Sequence, residues 1–245
     1  AVYFGGYNRC TCTEIYDGSV WSETSDLSTG TFGGMGFGTV NAAVSVGGEG
    51  AFCCTEEFNG TAWSAGGALG SGRHYASGGG TQNATIAFGG TPGSGLTEHY
   101  DGSSWTTGGA LINALHFNAG AGTQNAALSM GGQPPTHLAC TEHYNGSVWT
   151  VGGALIIARK CHGGTGLQHA ALAIGGSPDT DSTEEYTAEY INTGSFGKVI
   201  SEKFYGDATA ISSSIATAQG VLSSPTGMAA DISGSFQSGF GIKGG

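Results

Sequence analysis

Three markers recur along this chain in one register, and a chain that repeats itself at a fixed interval of roughly forty residues has few architectures open to it. A Gly-Gly pair closing an apolar run occurs at Gly5-Gly6, Gly47-Gly48, Gly89-Gly90, Gly131-Gly132 and Gly175-Gly176, with spacings of 42, 42, 42 and 44. The tryptophans Trp21, Trp63, Trp105 and Trp149 repeat at 42, 42 and 44. A Thr-Glu pair opens the next segment each time, at Thr13-Glu14, Thr55-Glu56, Thr97-Glu98, Thr141-Glu142 and Thr183-Glu184.

Inside one unit the pattern is that of strands. Residues 84–90 (ATIAFGG) and 126–132 (AALSMGG) are short apolar runs ended by glycine, as buried strands are. The segment 97–106 (TEHYDGSSWT) alternates in character and carries a Tyr-Asp-Gly turn, so it predicts a hairpin whose second arm holds the tryptophan. Asn59-Gly60 and Asn145-Gly146 take the place of Asp-Gly in other units, and both dipeptides tolerate positive φ in a tight turn. A Gly-Gly-Ala-Leu loop follows at 66–69, 108–111 and 152–155, and a further strand leads into the next unit. Four short strands in about 42 residues make one propeller blade. Five Gly-Gly pairs therefore predict five blades. The ends are irregular: the first unit lacks its opening strand and the fifth lacks a tryptophan. Further repeats before Ala1 stay open as an alternative, since the chain begins without Met and reads as a processed or trimmed product.

Composition narrows the partners. Seven Lys and Arg against eighteen Asp and Glu leave a net charge of −11, and the basic residues are scattered. A phosphate-binding groove needs them clustered, so nucleic acid is excluded as the expected partner. No stretch reaches the ~20 apolar residues of a membrane helix, and no membrane insertion is expected. Glycine supplies 48 of 245 residues and charged residues only 10%, yet 38% hydrophobic and 10% aromatic residues at regular places argue for a packed all-β fold rather than disorder.

The double glycine, the Glu-x-Tyr-Asp/Asn-Gly turn, the following Trp, and Arg73 and Arg159 opening the next strand together resemble the kelch motif across residues 1–186. In such repeats the tryptophan packs between blades. The GTQNAALxxGG and TEHYDGSxWTxGGAL variant is similar to repeats in virion structural proteins of tailed phages of aquatic bacteria. Composition shifts near Thr187, and residues 187–245 resemble segments of phage tail and fibre proteins that order only against partner chains. The resemblance implies a kelch-like β-propeller followed by a small β or irregular docking and oligomerisation segment. It further implies a tail-fibre or adhesin component of a virion, assembled from several copies with other virion proteins. The alternatives are a capsid or tail decoration protein, and a carbohydrate-active or oxidase propeller.

Chemistry finds little support in the residues. Cys12, Cys54 and Cys140 share a repeat position that also accepts Leu96 and Ser182, a small packing slot. Cys161 falls where Tyr75 and Phe117 fall, a position expected in the core. A bridge from Cys10 or Cys53 across to Cys54 or Cys12 is conceivable, and free thiols are the preferred expectation in a reducing cytoplasm. His137, Cys140 and His143 have spacing that zinc accepts, with Cys161 and His162 in the same unit, but the paired CxxC of a zinc site is missing. His143 also shares its register with Ile15, Glu57, His99 and Glu185, a position expected on an exposed strand face. No nucleophile elbow is present. Neither an enzyme, nor a metal, nor a cofactor is expected.

The segments after each Gly-Gly vary most: 7–12, 49–54, 91–96, 133–140 and 177–182. A rigid scaffold presenting differing loops on one face suits a binding module. Tyr7, Arg9, Phe52, Pro134, Pro135 and His137 are the residues expected to meet a host-surface glycan or protein.

Overall fold

Each repeat carries too little apolar surface to close on itself, so its strands stack against those of the next repeat. The computed structural model describes residues 1–187 apart from 51, 93, 94, 134, 179 and 180. Pro134 and nearly all of the expected docking segment therefore lie outside the described residues. Among the described residues eighteen strands form five antiparallel sheets arranged as a five-bladed β-propeller. Blade 1 has three strands, β1 (Val2–Phe4), β2 (Thr13–Tyr16) and β3 (Trp21–Glu23). Blade 2 comprises β4 (Met35–Thr39), β5 (Ala42–Val46), β6 (Thr55–Phe58) and β7 (Trp63–Ala65). Blade 3 comprises β8 (Ser77–Thr81), β9 (Ala84–Phe88), β10 (Thr97–Tyr100) and β11 (Trp105–Thr107). Blade 4 comprises β12 (Ala119–Thr123), β13 (Ala126–Met130), β14 (Thr141–Tyr144) and β15 (Trp149–Val151). Blade 5 again has three, β16 (Gly163–Leu167), β17 (Ala170–Ile174) and β18 (Thr183–Thr187). Among the described residues no strand lies inside β1 in blade 1, in line with the opening strand that the first unit lacks. A cavity of about 600 Å³ opens between β1 and β4, beside the edge of blade 1 that has no inner strand.

The inner strands β4, β8, β12 and β16 are glycine-rich because they approach one another closely. A Cβ on Gly120 would stand 2.3 Å from the carbonyl oxygen of Gly78 in the neighbouring blade, so only glycine fits. The Gly-Gly pairs tie successive blades through the backbone. Gly47 and Gly48 both have positive φ, at 62° and 99°. The Gly47 N–H donates to the Cys54 carbonyl at 2.8 Å, and the Gly48 N–H to the Arg73 carbonyl at 2.9 Å in the approach to the next blade. The expected hairpins are present, with Tyr100 opposite Trp105. Their turns are pinned by side chains: Asp101 Oδ1 accepts from the N–H groups of Ser103 and Ser104, and Asn59 and Asn145 act alike.

The Thr-Glu marker has two jobs. The threonine receives the tryptophan of the following blade: Trp63, Trp105 and Trp149 each donate their indole N–H to Thr13, Thr55 and Thr97, all at 2.9 Å. The glutamate holds the loop entering its own blade, as Glu56 does for the N–H groups of Ser28 and Thr29 and Glu142 for those of Ile112 and Asn113. Glu98 and Glu184 also pair with the buried guanidinium groups of Arg73 and Arg159. Burial lowers the Arg73 pKa, and the Glu98 carboxylate opposes that. Burial would raise Glu184, but the N–H groups of Ile156 and Ile157 and the Arg159 guanidinium outweigh it and hold the carboxyl low.

One expectation is corrected here. The register of Glu57, His99 and His143 is not a free strand face but the acceptor side of a link between blades. The Tyr100 hydroxyl donates to Glu57 at 2.6 Å, the Tyr144 hydroxyl lies 2.9 Å from His99 Nε2, and the Tyr186 hydroxyl lies 2.6 Å from His143 Nε2. Burial and the Glu57 hydrogen bond push Tyr100 up to about 12, so it stays a donor. Burial also lowers both histidines. The cysteine expectation is corrected too. Cys10 and Cys12 form a disulfide inside one short loop, their Cα atoms 5.4 Å apart, whereas Cys53, Cys54, Cys140 and Cys161 are free.

The tryptophans do pack between blades, except the first. Trp63 and Trp149 are buried against Phe4 and Phe88 of the preceding blade, while Trp21 remains 51% exposed. Trp149→Ala is therefore expected to cost about 3–5 kcal/mol, the usual range for a buried aromatic. Trp21→Ala should cost under about 1 kcal/mol. Urea denaturation of the two variants checks this, and equal losses would contradict the packing.

His162 is buried, and neither ring nitrogen bonds another protein group. Burial, reinforced by the nearby Arg159 charge, pushes it down to about 4. The folded chain then binds fewer protons than the unfolded one between pH ~6.5 and ~4. The stability that His162 confers is complete above that window and drains as pH falls through it, by roughly 2–3 kcal/mol. His162→Asn, the side chain that blade 4 carries there as Asn118, should flatten that slope in denaturation measured against pH.

Candidate functional site

The approach to each inner strand runs past the Gly-Gly loop of the same blade, and short antiparallel bridges lock the two together. Phe32 pairs with Glu49, His74 with Thr91, His116 with Gln133, and Lys160 with Ser177. The residue after each of these links the blades in series. The Tyr75 N–H donates to the Gly33 carbonyl at 2.8 Å, the Phe117 N–H to Tyr75 at 2.9 Å and the Cys161 N–H to Phe117 at 2.9 Å. Tyr75, Phe117 and Cys161 all adopt positive φ, between 52° and 57°. Such a backbone is costly for side chains of this size and persists because neighbouring blades hold it.

That backbone ladder sets a row of rings side by side. Tyr7 meets Phe32 edge-on at 6.0 Å between centroids, Phe32 meets Tyr75 at 5.9 Å, and Tyr75 meets Phe117 at 4.3 Å. His74 lies 4.6 Å from Tyr75 and 5.7 Å from Phe52, and His116 lies 5.0 Å from Phe117. The Lys160 ammonium sits 5.6 Å over Phe117 and donates to Gln133 at 2.7 Å. At the other end Arg9 pairs with Glu49 at 2.9 Å. Tyr7, Asn8, Arg9, Phe32 and Glu49 line a shallow cavity of about 400 Å³. The strip runs from blade 1 to blade 5; Phe32, His74, Tyr75, His116, Phe117 and Lys160 are half-buried, while Tyr7, Arg9, Phe52 and Cys161 are exposed.

The expected site residues divide accordingly. Tyr7 and Arg9 come together in that cavity, on a short 3-10 turn (Tyr7–Arg9) in which Asn8 and Arg9 have positive φ. Phe52 joins the strip through His74. Pro135 and His137 stay in the blade 4 loop, where the Pro135 carbonyl accepts from Gln133 Nε2 at 3.3 Å at the edge of the strip. The expectation that Tyr75, Phe117 and Cys161 are core is corrected: they hold the partly exposed centre of the strip. A signal was available, because true core positions keep their character through the repeats whereas this one runs Gly33, Tyr75, Phe117, Cys161. The preceding position runs Phe32, His74, His116, Lys160. Variation at a fixed place in a rigid repeat marks a presented surface.

Among the described residues no group of three His, Cys, Asp or Glu is gathered to hold a metal ion. What the strip offers is stacking on its rings and hydrogen bonding along its edges, from Arg9, Glu49, His74, His116, Gln133 and Lys160. Burial, with the charge of Lys160 nearby, lowers His116.

Ring removal separates strip from core. Phe88, fully buried, should cost about 3–5 kcal/mol when changed to Ala. Phe117→Ala should cost no more than about 1–2 kcal/mol, and thermal denaturation of the pair reads the difference. No family model matches the chain, and no curated protein resembles it closely enough to count as a relative.

Proposed function

We propose that this chain is a non-catalytic binding module whose ring strip recognises a host-surface ligand, a glycan first of all. The observation that supports this reading is the strip itself. Its rings lie in series over four blades, are held by backbone links rather than by a folded-over loop, and are edged by both donors and acceptors. Sugars present C–H faces that stack on aromatic rings and hydroxyl groups that both donate and accept. Rigid aromatic side chains supply such contact at little cost in conformational entropy. A long shallow strip suits an extended chain of residues better than a small molecule, which calls for an enclosed cavity.

The resemblance of the repeats to kelch-type virion proteins of tailed phages supplies the setting. In it the propeller faces outward on a tail fibre and residues 187–245 dock into the particle with other virion proteins. Several copies on one particle would turn weak single sites into firm attachment. The acidic surface, with a net charge of −11, would limit unspecific adhesion to anionic envelopes.

Binding to purified host-envelope polysaccharide, measured by biolayer interferometry, tests the reading. Tyr75→Ala and Phe117→Ala are each expected to weaken it tenfold or more, in the manner of central aromatic contacts. Val151→Ala, exposed on another strand, should change nothing. Unchanged binding in both ring variants would remove the strip from the function. No binding to polysaccharide or to envelope protein would leave the decoration or spacer reading in its place.

A further inference from the structure

The four contacts between successive blades are built from the same parts. The earlier blade contributes two apolar residues of its second strand: Val2 and Phe4, Val44 and Val46, Ile86 and Phe88, then Leu128 and Met130. It also contributes the threonine that accepts from tryptophan in three of the contacts, and in three the acceptor for a tyrosine hydroxyl. The later blade contributes the tryptophan and the tyrosine or phenylalanine of its hairpin, with small residues on its second strand. In blades 2 to 4 the apolar pair is fully buried.

Blade 5 presents the first half of such a contact uncovered. Leu172 and Ile174 stand where Leu128 and Met130 stand one blade earlier, and they are 37% and 45% exposed. Thr183 and Glu185, in the registers of the indole acceptor and the hydroxyl acceptor, are exposed beside them. Blade 1 presents the second half, equally uncovered. Tyr3 and Trp21 are about half exposed, and the Tyr16 hydroxyl turns back to the Gly18 carbonyl at 3.0 Å for want of an acceptor on another blade. Among the described residues both halves of a fifth contact are thus present and unjoined.

We propose that the blade 5 face of one copy receives the blade 1 face of a second copy. Leu172 and Ile174 pack against Tyr3 and Trp21, the Trp21 indole donates to Thr183, and the Tyr16 hydroxyl donates to the Glu185 carboxylate. The occupant follows from continuity: the Leu172–Ile174 pair, Thr183, Glu185, Trp21 and Tyr16 all have counterparts in the contacts that are formed, and Tyr3 alone departs, standing in the register of Ser45, Ala87, Ser129 and Ala173. The two faces differ, so the contact is head-to-tail, and repeated it closes a ring or runs on as a filament. It would set several ring strips side by side, yet it stands independently of what those strips bind.

Sedimentation velocity of the 245-residue chain across a range of concentrations tests this. The wild type is expected to associate as concentration rises. Trp21→Arg, which spoils one face, and Leu172→Glu, which spoils the other, should each sediment as a monomer. Their mixture should form a heterodimer, because each retains the half the other lacks. Trp21→Phe should associate about tenfold more weakly, losing only the indole donor. Both sites are exposed, so circular dichroism should match the wild type. A wild type that stays monomeric at high concentration would overturn the proposal, and blue-shifted Trp21 emission would then place the joined faces within a single chain. Association that persists in both blocked variants would also overturn it and assign self-association to other surfaces.

Discussion

Everything in this propeller depends on one constraint: no blade can cover its own faces. A single sheet of three or four short strands leaves apolar side chains open on both sides, and only another blade can bury them. The indole–threonine bond answers that constraint most directly. Its donor lies on the outer strand of one hairpin and its acceptor at the start of the preceding hairpin, so it forms only when two blades stack in register. The glycines of the inner strands answer it from the other side, by letting backbones meet where side chains would hold them apart.

The same dependence accounts for the polar groups inside. Arg73 and Arg159 are buried, which would be unfavourable without the carboxylates of Glu98 and Glu184. Those carboxylates also gather the backbone N–H groups of the incoming loop. Structural pairing and loop capture are therefore one arrangement, repeated from blade to blade with variations. The tyrosine hydroxyl shows how tolerant the scheme is: its partner is a glutamate in blade 2 and a histidine in blades 3 and 4.

The ring strip is a by-product of this regularity. Because each approach segment is fixed by a bridge to its own Gly-Gly loop and by a hydrogen bond to the previous blade, whatever side chain stands there is presented at a set height and spacing. The scaffold can then change Gly33 to Tyr75, Phe117 or Cys161 without disturbing the fold. Binding surfaces on repeat proteins arise in this way, from variable places on an invariant frame. The exposure of Trp21, Leu172 and Ile174 is the other side of the same construction, in which each face is buried only by a neighbouring blade.

The sequence by itself determined the blade count, the strand order, the hairpins and the role of the tryptophans, because all of these are local or repeat at a fixed interval. Only the tertiary structure decided which half-polar positions face a neighbour and which face solvent. The register of Glu57, His99 and His143 passes in sequence for an exposed one, yet it meets a tyrosine about forty residues away on the next blade. Tyr75 and Phe117 pass for core, yet they line a surface. In both cases the deciding contact lies on another blade, and alternation along a strand names the two faces of a sheet without saying what covers them. The same holds for Trp21, which has the sequence context of its buried counterparts yet is half exposed, with no other blade packed on it among the described residues.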